Sequence, residues 1–107
     1  MSHVDRFGIG KLMEIVLDKL GSTSPIHMSF DIDSVDPVEA PSTGTIVRGG
    51  LSYREAHYVC EAVSECGRLA SMDIVEVNPM LSRGVGAEAT ADLAMALTES
   101  AMGSRIL

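Results

Sequence analysis

Two strand-like segments separated by a helix-like segment constrain the fold of this chain more than any other feature. Apolar and polar residues alternate over residues 26–33 with the period of two that is typical of a strand. A second strand is predicted over residues 69–77. Between them, Ser52 and Glu55 have the capping-box spacing that begins a helix, and Gly67 ends it. Because parallel strands need a connection of a dozen or more residues, usually a helix, this order predicts an α/β fold with a parallel sheet.

Helices are also predicted before and after this unit. Apolar residues recur at helical spacing over residues 9–20, after which Gly21 supplies a left-handed cap, and a third helix is predicted over residues 87–102. Parallel sheets are normally covered on both faces and contain several strands, whereas this chain of 107 residues offers only two. We therefore expect residues 1–107 to be part of a single larger domain, a parallel sheet flanked by helices, contributing about two strands and three helices.

Charge and composition exclude several classes of partner. The net charge is −7 and the eight Lys and Arg residues are scattered, so the sequence has no basic stripe that could bind nucleic acid. It has neither a membrane-length apolar run nor a signal-peptide pattern, so we expect a cytoplasmic protein; an organelle signal on a longer parent chain would not be visible here. Cys60 and Cys66 lie roughly 9 Å apart along one predicted helix, too far for a disulfide.

Three carboxylates stand at the end of the first strand. The alternating pattern places Asp31 and Asp33 on the same face, roughly 6 to 7 Å apart, and Asp36 follows before Pro37. Two such carboxylates repel each other unless a cation lies between them or one is protonated, and hard oxygen ligands suit Mg, Ca or Mn. Ligands bind at the carboxyl ends of parallel strands, where Glu76 also lies. These residues predict a metal site in a crevice at that edge of the sheet.

Three other interpretations compete with this metal site. An EF-hand loop counted from Asp31 needs Gly at its sixth position and Glu at its twelfth, but Asp36 and Ser42 stand there. A haloacid-dehalogenase-type phosphatase would use Asp31 as the nucleophile and Asp33 as a general acid. Val35 fits its motif, but no later pair of aspartates completes a magnesium site. The simplest alternative is that the aspartates are solvated turn residues with local hydrogen bonds.

Longer stretches of the sequence resemble one family. Residues 29–37 read SFDIDSVDP, residues 40–45 APSTGT, residues 49–55 GGLSYRE and residues 72–79 MDIVEVNP; together they are similar to the ureohydrolases and to arginases in particular. Agmatinases share the DxDxxDP and TGT elements, but their second strand typically leads into Ala-Pro instead of Asn78-Pro79. The resemblance covers nearly the whole chain in order and implies the C-terminal third of a three-layer arginase-like domain.

The resemblance also implies a reaction and a site. Arginases hydrolyse L-arginine to L-ornithine and urea at two Mn²⁺ ions that activate a bridging hydroxide. By resemblance, Asp31 bridges both metals and Asp33 binds one of them. Glu76 pairs with the substrate guanidinium, and Thr45 lies near it, unless the Thr45 hydroxyl instead stabilises the turn around Gly44. Arginases form trimers or hexamers, so the resemblance implies a homo-oligomer for the full-length protein.

Some features of the family are absent from these residues. Its remaining metal ligands come from upstream histidines and an Asp-x-His-x-Asp motif, which do not occur here, and Ile46 stands where many relatives have Pro. Two inferred ligands are too few for two metal ions, so we predict that the isolated chain is inactive. Two alternatives stay open: an agmatinase or other guanidino-hydrolase, and a non-catalytic truncated chain that associates with arginase subunits.

Four further residues have structural interpretations. We predict that Asp36 caps its turn without touching metal, and that Asp73 is a buried strand carboxylate paired with a group outside this chain. His27 lies about 13 Å from Asp31 along the strand, too far to share its metal, so a packed or partner-bonded histidine is predicted. His57 is predicted to be a surface or structural residue.

Overall fold

The two predicted strands pair in parallel, and the helix between them forms the crossover connection. The computed structural model describes residues 1–40, 49–78 and 85–103. The elements in chain order are α1 (Ser2–Lys19), β1 (Ile26–Asp31), a single 3-10 turn (Ile32–Ser34), α2 (Tyr53–Glu65), β2 (Leu69–Val75) and α3 (Val85–Ala101). The predicted element order and the α/β class are confirmed.

α1 begins earlier than predicted, at Ser2 instead of residue 9, and contains a kink. Gly8 has φ 78° and ψ 156°, which lie outside the helical region, so the element consists of two helical segments joined at this glycine. The apolar periodicity starts only after Gly8 and therefore indicates the second segment alone. Gly21 follows α1 with φ 80° and provides the predicted left-handed cap.

Local sequence signals set the start and end of α2. Ser52 Oγ accepts a hydrogen bond from Glu55 N at 3.1 Å, and Glu55 Oε1 accepts one from Ser52 N at 3.0 Å, so the predicted capping box is present. Gly67 follows the helix with φ 74°. β2 ends at Val75, not at residue 77 as predicted, because Glu76 leaves the extended conformation. α3 agrees with its predicted limits to within two residues.

One face of the sheet belongs to the hydrophobic core. Alternate residues of β1 are buried, with Ile26, Met28 and Phe30 facing inward. They form one cluster with buried residues of all three helices: Met13, Ala56, Cys60, Val63, Leu93, Leu97 and Ala101. β2 packs against the same cluster through its own apolar residues: Leu69, Met72 and Ile74. The opposite face of both strands carries polar side chains that are exposed to solvent.

Both cysteines lie in or at the end of α2, and the length and polarity of the helices decide whether any of them could span a membrane. Cys60 and Cys66 carry free thiols, as their spacing predicts. Burial, with a smaller contribution from the Glu61 carboxylate, raises the pKa of the Cys60 thiol to about 12. This thiol is therefore protonated and unreactive at neutral pH. Within the three described segments, no helix has the length and apolar character needed to cross a bilayer.

His57 is a buried histidine between α2 and α3. It is 0% exposed, its Nδ1 lies 2.7 Å from Ser100 Oγ, and its ring packs against Tyr53 with the centroids 4.4 Å apart. Its Nε2 is buried without a hydrogen-bond partner among the residues that the structure describes. Desolvation is the main cause that lowers the pKa of His57; Glu61 opposes the shift and Arg54 adds to it. The structural interpretation of this residue is confirmed.

We expect acid to destabilise the chain through His57. Its pKa in the folded state lies below the ordinary value of 6.5, so the unfolded state binds the proton more readily. The stability contribution of the neutral ring is complete above about pH 6.5 and is lost as the pH falls from there through the folded-state pKa. The Tm should therefore decrease more steeply with acidification than in His57→Asn, whose amide can still contact Ser100. Thermal unfolding followed by circular dichroism at a series of pH values measures both slopes, and equal slopes would contradict this role.

Candidate functional site at the carboxyl ends of the strands

Two of the predicted site residues lie beside each other at the carboxyl ends of β1 and β2. Asp31 is the last residue of β1 and pairs in register with Val75, the last residue of β2. Glu76 follows Val75 directly, so it leaves the sheet at the same edge. Neighbouring strands are about 4.8 Å apart. The fold therefore brings two acidic residues that are far apart in sequence to the same edge of the sheet.

Asp33 reaches this edge through a turn and not through the strand. β1 ends at Asp31 and residues Ile32–Ser34 form the 3-10 turn, so the predicted alternation of Asp31 and Asp33 on one strand face is wrong. The physical reason is local hydrogen bonding: Asp31 Oδ1 accepts a bond from Asp33 N at 2.9 Å, and Ser34 Oγ donates to Asp31 O at 2.8 Å. Asp33 is half-buried, whereas Asp31 is exposed.

Glu76 has an unusual backbone conformation. Its φ is 70°, in the left-handed region that residues other than glycine rarely adopt, and it alone among the non-glycine residues described has a positive φ. Such a conformation costs about 1–3 kcal/mol and is found most often at functional sites. It ends β2 and turns the chain where the glutamate is exposed. The backbone thus marks Glu76 as a candidate functional residue without reference to any motif.

The turn that carries Asp33 is supported by the chain that returns to α2. Asp36 N donates to Leu51 O at 2.9 Å, and Leu51 N donates to Ser34 O at 2.7 Å. The approach is so close that a Cβ on Gly50 would lie 2.7 Å from both Asp36 N and Ser34 O. Only glycine fits this position without displacing the backbone. No local sequence pattern indicates this requirement, because it depends on a contact between separate segments.

Asp36 supports the same loop with its side chain. Its Oδ1 accepts a hydrogen bond from Val38 N and its Oδ2 accepts one from Gly49 N, both at 3.0 Å. Both carboxylate oxygens are therefore engaged by backbone amides. The predicted capping role of Asp36 is confirmed.

Thr45 lies outside the described residues, which end at residue 40 and resume at residue 49. Its role near the guanidinium, its alternative role in the turn at Gly44 and the departure at Ile46 therefore stay predictions.

The donor atoms at this edge suit a hard cation but form only part of a site. Asp31 and Asp33 supply carboxylate oxygens, which Mg, Ca and Mn(II) prefer. Hard cations of this kind take about six or more ligands. Among residues 1–40, 49–78 and 85–103, no group of three His, Cys, Asp or Glu side chains could hold a metal ion. The described residues therefore fit part of a cation site.

Polar side chains link the two strands on the exposed face, just before the site. His27 Nδ1 lies 2.7 Å from Ser71 Oγ and its Nε2 lies 3.2 Å from Asp73 Oδ2, so the prediction of a partner-bonded His27 is confirmed. Ser29 Oγ donates to Asp73 Oδ1 at 2.5 Å. The predicted burial of Asp73 is not found within this chain: its side chain is 49% exposed, because the alternation of β2 puts it on the open face, and it has partners on β1. The predicted partner outside this chain stays a prediction. The Ser29 hydroxyl is the main cause that lowers the pKa of Asp73, and His27 adds to the shift.

The fold is that of an α/β protein with acidic residues at the carboxyl ends of a parallel strand pair, the edge where ligands bind in such sheets. A family model described as "Arginase family" matches residues 1–103. The chain belongs to the arginase family, as its sequence motifs predict.

Individual relatives agree with this assignment. The chain is 50% identical over 109 residues to an arginase of Glaciozyma antarctica, in an alignment that covers 100% of this chain and 32% of that protein. The crystal structure of an arginase from Bacillus subtilis matches with a TM-score of 0.89 at 40% identity and covers 99% of this chain and 35% of that one. An agmatine ureohydrolase of Thermoplasma volcanium matches with a TM-score of 0.72 at 30% identity, over 92% of this chain and 32% of that one. The chain thus spans about a third of the length of the curated relatives it matches.

Proposed function

We propose that this chain contributes part of the active site of a manganese-dependent arginase, which hydrolyses L-arginine to L-ornithine and urea. The observation that carries the proposal is the position of Asp31 and Glu76 at adjacent ends of two parallel strands. Membership of the arginase family supports the reaction class. Because the chain spans about a third of its relatives, the activity is proposed for a complete protein, and the isolated chain is expected to be inactive.

Asp31 and Asp33 hold the two Mn²⁺ ions in this proposal, together with ligands from other segments. By the family resemblance, Asp31 would be a ligand of both ions and Asp33 a ligand of one. When bound, the ions supply hydroxide at neutral pH by lowering the pKa of a shared water. The hydrogen bond from Asp33 N to Asp31 Oδ1, at 2.9 Å, orients the Asp31 carboxylate before any ion binds.

Glu76 binds the guanidinium group of the substrate. A carboxylate can accept two parallel hydrogen bonds from this planar cation, and such a charge-assisted pair fixes the position of the carbon that is attacked. By the family resemblance, Thr45, which lies outside the described residues, would contact the same group through its hydroxyl. The acidic residues at this edge together favour the binding of cations, and both the metal ions and the guanidinium group are cations.

Agmatine is the second candidate substrate, favoured by the TM-score of 0.72 with an agmatine ureohydrolase. The structural match with the Bacillus subtilis arginase is better, with 40% identity against 30% and a TM-score of 0.89 against 0.72, and favours arginine. Both molecules carry the guanidinium that Glu76 would bind, so the distinction lies at the other end of the substrate. The kcat/KM for each substrate should be measured in the longest translation product that contains this chain. A higher value for agmatine would exclude arginine as the preferred substrate.

A chimeric enzyme tests whether this chain can form its share of the site. In the protein called the chimera below, residues 1–107 replace the matching segment of the Glaciozyma antarctica arginase. We expect manganese-dependent release of urea from L-arginine by the chimera, a trimeric or hexameric assembly in size-exclusion chromatography, and no urea from the isolated chain. The unmodified arginase and the chelator-treated chimera are the controls.

Two outcomes of this experiment would count against the proposal. A folded chimera that releases no urea contradicts the catalytic role, and if the isolated chain also co-elutes with intact arginase, the non-catalytic alternative is favoured. Urea release by the isolated chain would contradict the inference that this chain holds only part of the active site.

A further inference from the structure

The polar face of the sheet joins β1 to β2 by side chains as well as by backbone. Three contacts cross between the strands: His27 to Ser71 at 2.7 Å, His27 to Asp73 at 3.2 Å, and Ser29 to Asp73 at 2.5 Å. Asp73 is the centre of this arrangement, because each of its carboxylate oxygens contacts a different residue of β1. The four residues are called the cross-strand network below.

The network begins where the register of the two strands becomes regular. His27 pairs with Ser71, but the register skips the preceding residue, Ala70. From this pair onward the register is continuous up to Asp31 and Val75. A one-residue slip in pairing would move every side chain of a strand to the other face, so these cross-strand contacts form only in the observed pairing and stabilise it.

The network also lies one residue pair before the candidate site on the same face. Ser29 pairs in register with Asp73, and the next pair on that face is Asp31 with Val75, which Glu76 follows. Because Asp31 and Glu76 extend from different strands, a displacement of β2 along β1 changes the distance between them. One residue of displacement is about 3.3 Å, and a misplacement of about 1 Å can already reduce catalysis strongly.

We propose that the cross-strand network positions the site, with Asp73 and His27 as positioning residues that hold Glu76 in register with Asp31. The inference rests on the proposed function, because it concerns the geometry between the metal-binding and the guanidinium-binding residues. A network that only stabilised the sheet would change the unfolding of the protein. It would not change the KM of the folded, manganese-loaded enzyme.

Variants of Asp73 in the chimera test the proposal. Asp73→Ala removes both contacts, and we expect the KM for L-arginine to rise about tenfold, with a smaller change in kcat and an unchanged manganese content. Asp73→Asn keeps an oxygen for the Ser29 hydroxyl and places an amide opposite His27 Nε2, so it should restore the KM to within about threefold. Asp18→Ala, at an exposed carboxylate of α1, is the control and should leave the KM unchanged.

The outcomes separate positioning from stability. A folded, manganese-loaded Asp73→Ala chimera with an unchanged KM overturns the inference, and so does an Asp73→Asn variant that is as impaired as Asp73→Ala. If Asp73→Ala does not fold, Ser71→Ala removes one contact alone. An increase of about twofold to threefold in its KM supports the inference, and no increase overturns it.

An inactive unmodified chimera contradicts the proposed function instead. The network is then tested by amide hydrogen exchange, in which Asp73→Ala should increase exchange along β2. Unchanged exchange in β2 overturns the inference.

Discussion

Replacing Asp31 with asparagine should lower the kcat/KM of the chimera for L-arginine by at least about 1,000-fold and reduce its manganese content. Asparagine keeps the shape of the side chain and can still accept the hydrogen bond from Asp33 N, which is 2.9 Å long here. The substitution therefore preserves the turn and removes the negative charge that stabilises bound cations. Steady-state kinetics and elemental analysis of the purified variant measure the two effects separately.

Asp36→Asn is the matched control for this experiment. It makes the same isosteric change in the same motif, but the Asp36 oxygens accept bonds from Val38 N and Gly49 N at 3.0 Å. An amide can accept only one of these bonds well, so we expect a stability loss of about 1 kcal/mol, with manganese content unchanged and kcat/KM within about threefold. If the two variants lost activity equally, or if Asp31→Asn kept its manganese and its rate, Asp31 would not be a metal ligand.

Glu76→Gln should lower kcat/KM by at least about 100-fold while the manganese content stays unchanged. Glutamine has nearly the same size, but it is neutral and offers one acceptor oxygen in place of two. The charge-assisted pair with the guanidinium is therefore lost, whereas the metal ligands are not altered. Kinetics and elemental analysis distinguish this result from the effect of Asp31→Asn. Glu14→Gln, an exposed glutamate on α1, is the control and should behave like the unmodified chimera. Unchanged kinetics in Glu76→Gln would exclude Glu76 from the guanidinium site.

The backbone of Glu76 allows a companion variant with opposite effects on stability and activity. Glu76→Gly removes the carboxylate and also relieves the left-handed strain at φ 70°, because glycine adopts this conformation without steric cost. We expect a stability gain of about 1 kcal/mol together with an activity loss at least as large as in Glu76→Gln. A variant that lost stability as well as activity would show that the glutamate side chain itself stabilises this turn. It would contradict the interpretation that the strained backbone conformation is maintained for function.

Short-range signals are sufficient to predict the order of the helices and strands and most of their limits. The capping box of Ser52 and Glu55 and the glycine caps at Gly21 and Gly67 act within a few residues, and the structure contains each of them. The parallel pairing follows, because a helix separates the strands. The first part of α1 was not predicted, because its apolar pattern before Gly8 has no helical period.

The site could be predicted only in part. The edge of the sheet was predicted from the topology, and the structure places Asp31 and Glu76 there. At Asp33, alternation predicts a strand, whereas the simplest alternative predicts turn residues with local hydrogen bonds. The turn forms because it satisfies the Asp31 and Ser34 side chains locally. No sequence signal indicates the left-handed backbone of Glu76, since glutamate is not among the residues that favour it.

Local patterns are enough to assign the fold class, the order of the elements and the acidic residues at one edge, because periodicity, caps and turn chemistry act within a few residues. The partners of Asp73 and the requirement for Gly50 emerge only in the folded chain. Asp73 lies opposite Ser29 because the register skips Ala70, and Gly50 is enclosed because the loop returns to Ser34. Both features depend on the packing free energy between segments that are distant in sequence, and no local pattern encodes that quantity.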